Sequence, residues 1–287
     1  MKKAIATLTI GKRYETNFSK YCQSLWSLYA QKHGFDLVII NDHLDNSPRA
    51  KSRSAAWQKC LILSHENLQN YDRVVWVDSD IMINPHSPDI VANVPLEKIG
   101  AVDEYASPSQ EQHSFYLERT YEYWSRQNVN FLNNPTAKSF HQDFGLDIDV
   151  ESVVQTGVMI LSPKYHKELL EHVYYNYEDN GSAYYNYEMR PLSYEILKND
   201  LAFWLSPKFN QLWIFWKQFH YPFLDSYSNP LTKTIAKVLR KVNLERVALN
   251  EKCVTTAFLN NYFLHFAGTS YEMRYVNTKY NSVFEIH

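Results

Sequence analysis

The stretch Asp72-Arg73-Val74-Val75-Trp76-Val77-Asp78-Ser79-Asp80-Ile81-Met82-Ile83 runs an apolar strand straight into two carboxylates one residue apart. Residues i and i+2 of an extended chain face the same way, so Asp78 and Asp80 present their oxygens to one site. The hydrophobic residues before them predict a strand buried on both faces, with the pair at its carboxyl end, where open α/β sheets bind ligands. Two hard oxygen ligands in that place suit Mg²⁺ or Mn²⁺ carrying a diphosphate. The tripeptide alone is a weak signal. Asp147-Ile148-Asp149 repeats it in a polar stretch without an apolar strand ahead, where a solvated turn is the ordinary fate.

The elements that must position the first pair follow from periodicity. Residues 3–10 read as a first strand, and a helix follows from about Asn17, its apolar side formed by Phe18, Tyr21, Cys22, Leu25, Trp26 and Tyr29, until Gly34 ends it. A strand over 35–40, a helix over 54–70 and the strand ending at Asp78 complete an alternation that predicts an α/β fold. Its central sheet is mixed, mostly parallel and flanked by helices. Pro85 and Pro88 are expected to stop the chain and start a short helix. Strands are predicted over 99–103 and 153–161, helices over 114–127, from Pro163 to about Tyr177 and over 188–198, and a polar loop over 133–152. Beyond residue 200 come short strands, an aromatic run over 212–223 and a basic helix over 231–249.

Composition narrows the class. Apolar residues make up 45% of 287 residues, enough for one large domain, and a net charge of −2 argues against nucleic acid as a partner. The 22 Tyr, 15 Phe and 7 Trp fill cores and also suit stacking on sugar faces and bases. Cys22, Cys60 and Cys253 lie far apart and form no CxxC, which points to a reducing compartment and no structural zinc. The apolar run after Lys2 and Lys3 breaks at Gly11-Lys12-Arg13, too soon for a signal peptide, and no stretch is long enough to span a membrane. The expectation is a cytoplasmic protein of bacterial or viral type.

Five motifs in order resemble GT-A-type retaining glycosyltransferases. The pattern is most similar to the family of yeast Golgi galactosyl- and mannosyltransferases and plant xylosyltransferases, and more distantly similar to glycogenin and bacterial lipo-oligosaccharide galactosyltransferases. The motifs are Ala6-Thr7-Leu8-Thr9-Ile10-Gly11-Lys12-Arg13-Tyr14; Arg53-Ser54-Ala55-Ala56-Trp57-Gln58-Lys59-Cys60; Asp78-Ser79-Asp80; Val154-Gln155-Thr156-Gly157-Val158-Met159-Ile160-Leu161; and Phe263-Leu264-His265-Phe266-Ala267-Gly268. The resemblance implies one GT-A domain over 1–287, with 200–287 closing the metal and acceptor side. It implies a metal held by Asp78, Asp80 and His265, for which an imidazole among oxygens favours Mn²⁺ over Mg²⁺. Asp80 would ligate directly, while Asp78 shares the metal or holds a ribose.

The same resemblance places Thr7, Thr9 and Tyr14 at a uridine pocket, against the plain reading of strand hydroxyls and a packed tyrosine. It sends Lys59 or Arg53 toward a phosphate or sugar hydroxyl; Lys59 is the better placed, an exposed helix charge being the ordinary fate of Arg53. Ser79, Gln155, Thr156, Gly157 and Gly268 would line the donor, with Gln155 standing where the family has Asn. A glycine inside a strand also supports close approach of backbone or ligand. In Tyr187-Glu188-Met189-Arg190-Pro191-Leu192, Glu188 takes the family's acidic position beside the reacting sugar, either as nucleophile or as electrostatic stabiliser, although Met189 replaces the family's Gln. Tyr271 stands where distant relatives carry a base, with Arg274 close by. No residue stands out as the base of an inverting enzyme.

The implied reaction moves a sugar from a nucleoside diphosphate, a UDP-sugar by the resemblance, to a hydroxyl of a glycan or glycolipid. Lys233, Lys237, Arg240, Lys241 and Arg246 over 231–249 could lie on an anionic membrane and favour a lipid-linked acceptor, although a core-packed helix with a solvated basic face is the commoner case. Asp143, Asp147 and Asp149 either meet sugar hydroxyls or form a solvated turn. Two rivals remain. A sugar-nucleotide pyrophosphorylase would want a glycine-rich loop after the first strand, which a chain with 7 Gly does not offer there. A carbohydrate-binding or scaffold protein would have kept the fold without turnover.

Overall fold

The computed structural model describes residues 1–126, 128, 134–178, 188–224 and 245–286. Six strands form the central sheet: β1 Lys3–Leu8, β2 Asp36–Ile40, β3 Arg73–Val77, β5 Ile99–Asp103, β6 Val154–Leu161 and β7 Ala202–Trp204, in the order β2-β1-β3-β6-β5-β7. Five run one way and β6 opposes them, so the sheet is mixed and mostly parallel, as expected. The carboxyl ends of β1, β3 and β5 therefore lie at the same end of the sheet. Three shorter strands, β4 Ile81–Ile83, β8 Gln211–Leu212 and β9 Phe263–His265, make a second sheet in the order β4-β9-β8.

Alternation along the central strands feeds two cores. Ile5, Val75 and Val77 point to one face, where helices α1 Lys12–Tyr21 and α2 Gln23–His33 contribute Phe18, Trp26 and Tyr29. Ala4, Ala6, Val74 and Trp76 point to the other, against Trp57, Cys60 and Leu61 and against Leu170, Val173 and Tyr174 of the helix Pro163–Asn176. All eight residues of β6 are buried, which is why that strand reads as a continuous apolar run rather than an alternation. Gly34, at φ 70, ends α2 as expected of a left-handed helix cap.

Several elements differ from the sequence expectation. The first helix starts at Lys12, five residues before Asn17, and breaks at Cys22. Residues 54–70 are two 3-10 windings, Ala55–Ser64 and Glu66–Leu68, preceded by one helical turn, Pro48–Lys51. Trp57 through Leu63 are all buried, so this segment has no solvent face to define an α-helical stripe. Pro85 and Pro88 start turns rather than a helix. The polar stretch 133–152 contains a short helix, Ala137–Gln142, started by a Thr136–Ser139 capping box. The aromatic run folds as the helix Trp213–His220, packed on the helix Gln110–Arg126. Residues 231–244 of the expected basic helix lie outside the described residues, and so do the side chains of 245–248; the helix Glu245–Asn260 follows. Among the described residues no helix is long and apolar enough to cross a membrane.

Candidate metal and nucleotide-sugar site

β3 ends at Val77, and the chain leaves the central sheet through Asp78-Ser79-Asp80 to begin β4. Asp78 N–H donates to the Gly157 carbonyl at 2.8 Å, fixing the corner to β6. In the second sheet β9 pairs antiparallel to β4 with His265 opposite Ile81, which sets the imidazole beside Asp80. Ligand atoms of Asp78, Asp80 and His265 all lie within 4.8 Å of one another. His265 Nε2 is 3.3 Å from Asp80 Oδ1 and 3.9 Å from Asp78 Oδ2.

A chain of hydrogen bonds fixes the imidazole. The Gly157 N–H can only donate, and it meets Gln155 Oε1 at 2.7 Å. Asn210 also donates to that oxygen, through Nδ2, so Asn210 Oδ1 is the acceptor that faces His265 Nδ1 at 2.9 Å. Nδ1 must then carry a proton, and Nε2 is the nitrogen turned to the two aspartates. Gly157 is required by packing too, because a Cβ there would lie 2.6 Å from His265 Cε1. Burial alone would lower the His265 pKa, but the charge and hydrogen bond of Asp80 outweigh it and raise it. Burial pushes the Asp80 carboxyl up, and His265 more than reverses this. A nitrogen and carboxylate oxygens held at this spacing could hold a divalent cation.

Lys59 lies on the other side of Asp78. Its Nζ is 3.0 Å from Asp78 Oδ1 and 2.9 Å from Glu188 Oε1, with only 5% of the residue exposed. Desolvation would lower the Lys59 pKa, but the two carboxylates more than offset it and hold the ammonium charged. Thr156 Oγ1 donates to Glu188 Oε1 at 3.1 Å, and Trp76 Nε1 donates to Asp78 Oδ1 at 2.9 Å.

Two openings meet at this cluster. A cleft of about 270 Å³ is lined by Leu8, Ile10, Tyr14, residues 54–56, Trp76 and Ser79. A cavity of about 480 Å³ is walled by Leu117, Tyr121, Trp124, Leu212 and Phe215, and reached by Glu104, Gln155, Thr156, Gly157, Glu188 and Gly268. Lys59, Asp78 and Asp80 line both. Gly268 adopts φ +66, and a Cβ on it would come 2.8 Å from the Trp124 ring.

Three expected donor residues are placed elsewhere. Thr7 shares the strand face of Ile5, opposite Leu8, and its buried hydroxyl has no hydrogen-bond partner among the described residues. Thr9 Oγ1 donates to Asn41 Oδ1 at 2.5 Å. Neither lines the cleft; the two-residue period of β1 gives that place to Leu8. Arg53 gives its guanidinium to the carbonyls of Tyr174, at 2.7 Å, and Tyr177, and stacks on Trp57 with 4.4 Å to the ring centre. It lines neither opening, whereas Lys59 lines both. Arg274, exposed, donates to the Tyr275 hydroxyl. Asp147 and Asp149 are exposed, the latter paired with Lys138 at 2.9 Å, as a solvated turn would be.

Sequence reasoning missed Trp76, Asn210 and Glu104. Trp76 sits two residues before Asp78 on a strand, so the i, i+2 rule already placed both on one face. Glu104 directly follows β5 at the sheet end that carries Asp78, and the same carboxyl-end rule would have found it. Burial raises its carboxyl to about 7, the charges of His265 and Arg190 acting against the rise and that of Asp103 adding to it. Asn210 follows a 3-10 turn and carries no sequence signal.

No family model matches the chain, and no curated protein matches its sequence. Among solved structures, it is similar to a glycosyltransferase involved in the glycosylation of the major capsid of PBCV-1, at 14% identity and TM-score 0.49, over 95% of this chain and 100% of that one. It is similar to the bifunctional glycosyltransferase WbbM in its apo form at 13% identity and TM-score 0.49, over 99% of this chain but 51% of that one, so it spans about half of WbbM. A third likeness, to mouse xyloside xylosyltransferase 1 in its apo form, has 10% identity and TM-score 0.42, over 77% of this chain and 91% of that one. At such scores, overall shape transmits no chemistry.

Proposed function

We propose that this chain is a glycosyltransferase that uses a divalent cation, Mn²⁺ in the first place, to transfer a sugar from a UDP-sugar to a hydroxyl of a glycan or glycolipid. The observation that carries the reading is the Asp78–Asp80–His265 cluster, set where a narrow cleft and a wider aromatic-walled cavity meet. The cleft suits a nucleotide: Leu8 and Ile10 offer apolar surface, Tyr14 an exposed ring and Lys59 a cation at the inner end. The cavity suits sugars, which stack their C–H faces on rings such as Trp124 and Tyr121.

A cation bound to the cluster would neutralise charge on the diphosphate leaving group. The protein's own residues do the rest. Asn210 and Gln155 hold His265 in the ligating tautomer. Lys59 balances Asp78 and Glu188. Glu188, fixed by Lys59 and Thr156, is an electrostatic stabiliser for positive charge developing on the sugar.

Calorimetric titration of UDP, with Mn²⁺ and then with EDTA, tests the reading. Binding that needs Mn²⁺ and disappears in Asp80→Ala and His265→Ala is the expected result. Metal-independent binding, or none, would remove the metal–diphosphate assignment; GDP binding in place of UDP would move the donor to another base. A protein that binds UDP but never releases it from UDP-sugars would favour the scaffold reading.

A further inference from the structure

The helix Gln110–Arg126 turns one stripe toward the larger cavity: Leu117, Thr120, Tyr121 and Trp124, spaced by three and four, all line it. Thr120 is the odd member of that stripe. It is 3% exposed, and its hydroxyl has no hydrogen-bond partner among the described residues. Thr7, Tyr116 and Thr269 also bury an unpartnered hydroxyl, but of these four Thr120 is the one that lines the cavity. A buried hydroxyl left unpaired costs stability, and a hydrogen-bonding ligand in the cavity would remove that cost.

Glu104 supplies a second polar group to the same space. It lies on the 3-10 turn Glu104–Ala106, against which the helix packs, and is partly exposed. Among the described residues, no hydrogen bond or ion pair engages its carboxylate.

Position separates this face from the donor's. Glu188 and β6 are tied to the metal cluster, Glu188 through Lys59 at 2.9 Å and β6 through the Gly157 carbonyl, which accepts from Asp78 N–H at 2.8 Å. No hydrogen bond or ion pair among the described residues ties Leu117, Thr120, Tyr121 or Trp124 to that cluster. Their helix stands against Gly268 instead, through the Trp124 ring. A donor sugar therefore belongs beside β6, and the helix face is left for a second substrate.

The chemistry of the face selects that substrate. Tyr121 and Trp124 offer rings on which the C–H side of a pyranose stacks. An alkyl chain would leave Thr120 unpaired. An anionic group would meet the carboxylates of Glu104, Glu188, Asp78 and Asp80, with Lys59 the one ammonium among the lining residues. We propose that this face holds the acceptor as a neutral pyranose, stacked on Tyr121 and Trp124, with one hydroxyl paired to Thr120 and another donating to Glu104. The assignment rests on the nucleotide-sugar reading above. Sugar and threonine hydroxyls each donate and accept, so the Thr120 pairing works in either direction.

The test is saturation-transfer NMR on the protein with UDP and Mg²⁺, since paramagnetic Mn²⁺ broadens the lines. The probes are the methyl pyranosides of glucose, galactose, mannose and xylose, with methyl glucuronide as the anionic counterpart and 1-hexanol as the alkyl one. At least one neutral pyranoside should bind, more tightly than either counterpart. Thr120→Val should weaken it about 10-fold, the loss of one hydrogen bond, and Tyr121→Ala, at an exposed position, should weaken it as well. UDP affinity by calorimetry should be unchanged in both. Thr120→Val should also melt no lower than wild type, because the hydroxyl it removes is unpartnered in the free protein; a structural role for that hydroxyl would lower the melt. No pyranoside bound, tighter binding of glucuronide or hexanol, unchanged affinity in Thr120→Val, or a lower melting temperature of that variant would each overturn the assignment. Failure of wild type to bind UDP would overturn the donor reading and with it the acceptor role, and calorimetry identifies that case while the spectra still report whether the face binds sugar.

Discussion

Gly157→Ala isolates the demand that the site places on backbone geometry. A Cβ at this position would lie 2.6 Å from His265 Cε1 and 2.8 Å from Nδ1, where ordinary contact begins at 3.4 Å, so one partner must move by about 0.8 Å. Strand β6 is buried throughout and is held beside Gly157 by β3 and by the Asp78 N–H on the Gly157 carbonyl, although its register with β5 shifts at this point. The imidazole moves instead. Metal–ligand distances tolerate about 0.2 Å, so a shift several times larger carries Nε2 out of ligating range or strains its hydrogen bond to Asn210. Losing second-shell order of this kind weakens metal binding about 10- to 100-fold, equivalent to about 1.4 to 3 kcal/mol. Mn²⁺ titration by calorimetry, alongside a thermal melt, checks the prediction; overpacking should cost about 1 to 3 kcal/mol of stability while leaving the fold intact. A folded Gly157→Ala protein that binds Mn²⁺ as tightly as wild type would refute the claim that this glycine exists to admit His265.

Two further expectations follow from the packing. Arg53→Met should lower stability by about 2 kcal/mol or more, because the Tyr174 and Tyr177 carbonyls lose a charged donor, while UDP affinity stays unchanged; urea denaturation and UDP calorimetry on one preparation separate these readouts. Glu104 makes the metal-free protein less stable as pH rises. Its folded pKa, about 7, exceeds the ordinary 4.5, so the folded state holds the proton more tightly and the stability conferred below pH 4.5 is lost through pH 7. The upper bound is about 3 kcal/mol at 1.36 per unit, with Asp103, Arg190 and His265 as the charges facing it. In urea melts without metal, Glu104→Gln should therefore gain on wild type between pH 5 and 8; equal pH dependence of the two proteins would remove the raised pKa.

The sequence carried the strand skeleton because strands speak through short, local rules. The apolar run into Asp78, the buried β6 and the helix stop at Gly34 were each set by a few adjacent residues, and the structure places them accordingly. Lys59 was legible because it stands on the segment entering β3. Phase was less legible: Thr7 and Leu8 are neighbours, and only the pairing of Ala6 with Trp76 decides that Leu8 faces the cleft. Residues 55–64 misled for a related reason, since burial on every side erases the amphipathic stripe that separates an α-helix from a tighter winding. Asn210 was out of reach altogether. Its role arises from a contact 55 residues along the chain, made when β8 aligns beside β9.

The charges of the cluster say how a cation would fit there and which aspartate it would lean on. Asp78, Asp80 and Glu188 bring three negative charges and Lys59 one positive, leaving two negative charges with His265 neutral. One divalent ion cancels that remainder. The two aspartates are not equivalent partners for it. Asp78 already receives Lys59 at 3.0 Å and Trp76 Nε1 at 2.9 Å on Oδ1, so part of its charge is compensated before any metal arrives. The closest side-chain partner of Asp80 among the described residues is His265 at 3.3 Å, a contact that would give way if Nε2 turned its lone pair to a cation. A cation bound there would replace the contact of Asp80 with His265, while Asp78 would keep Lys59. On the proposed reading, the asymmetry would make Asp80 the stronger ligand and leave Asp78 to divide its oxygens between metal and donor, as the family resemblance implies.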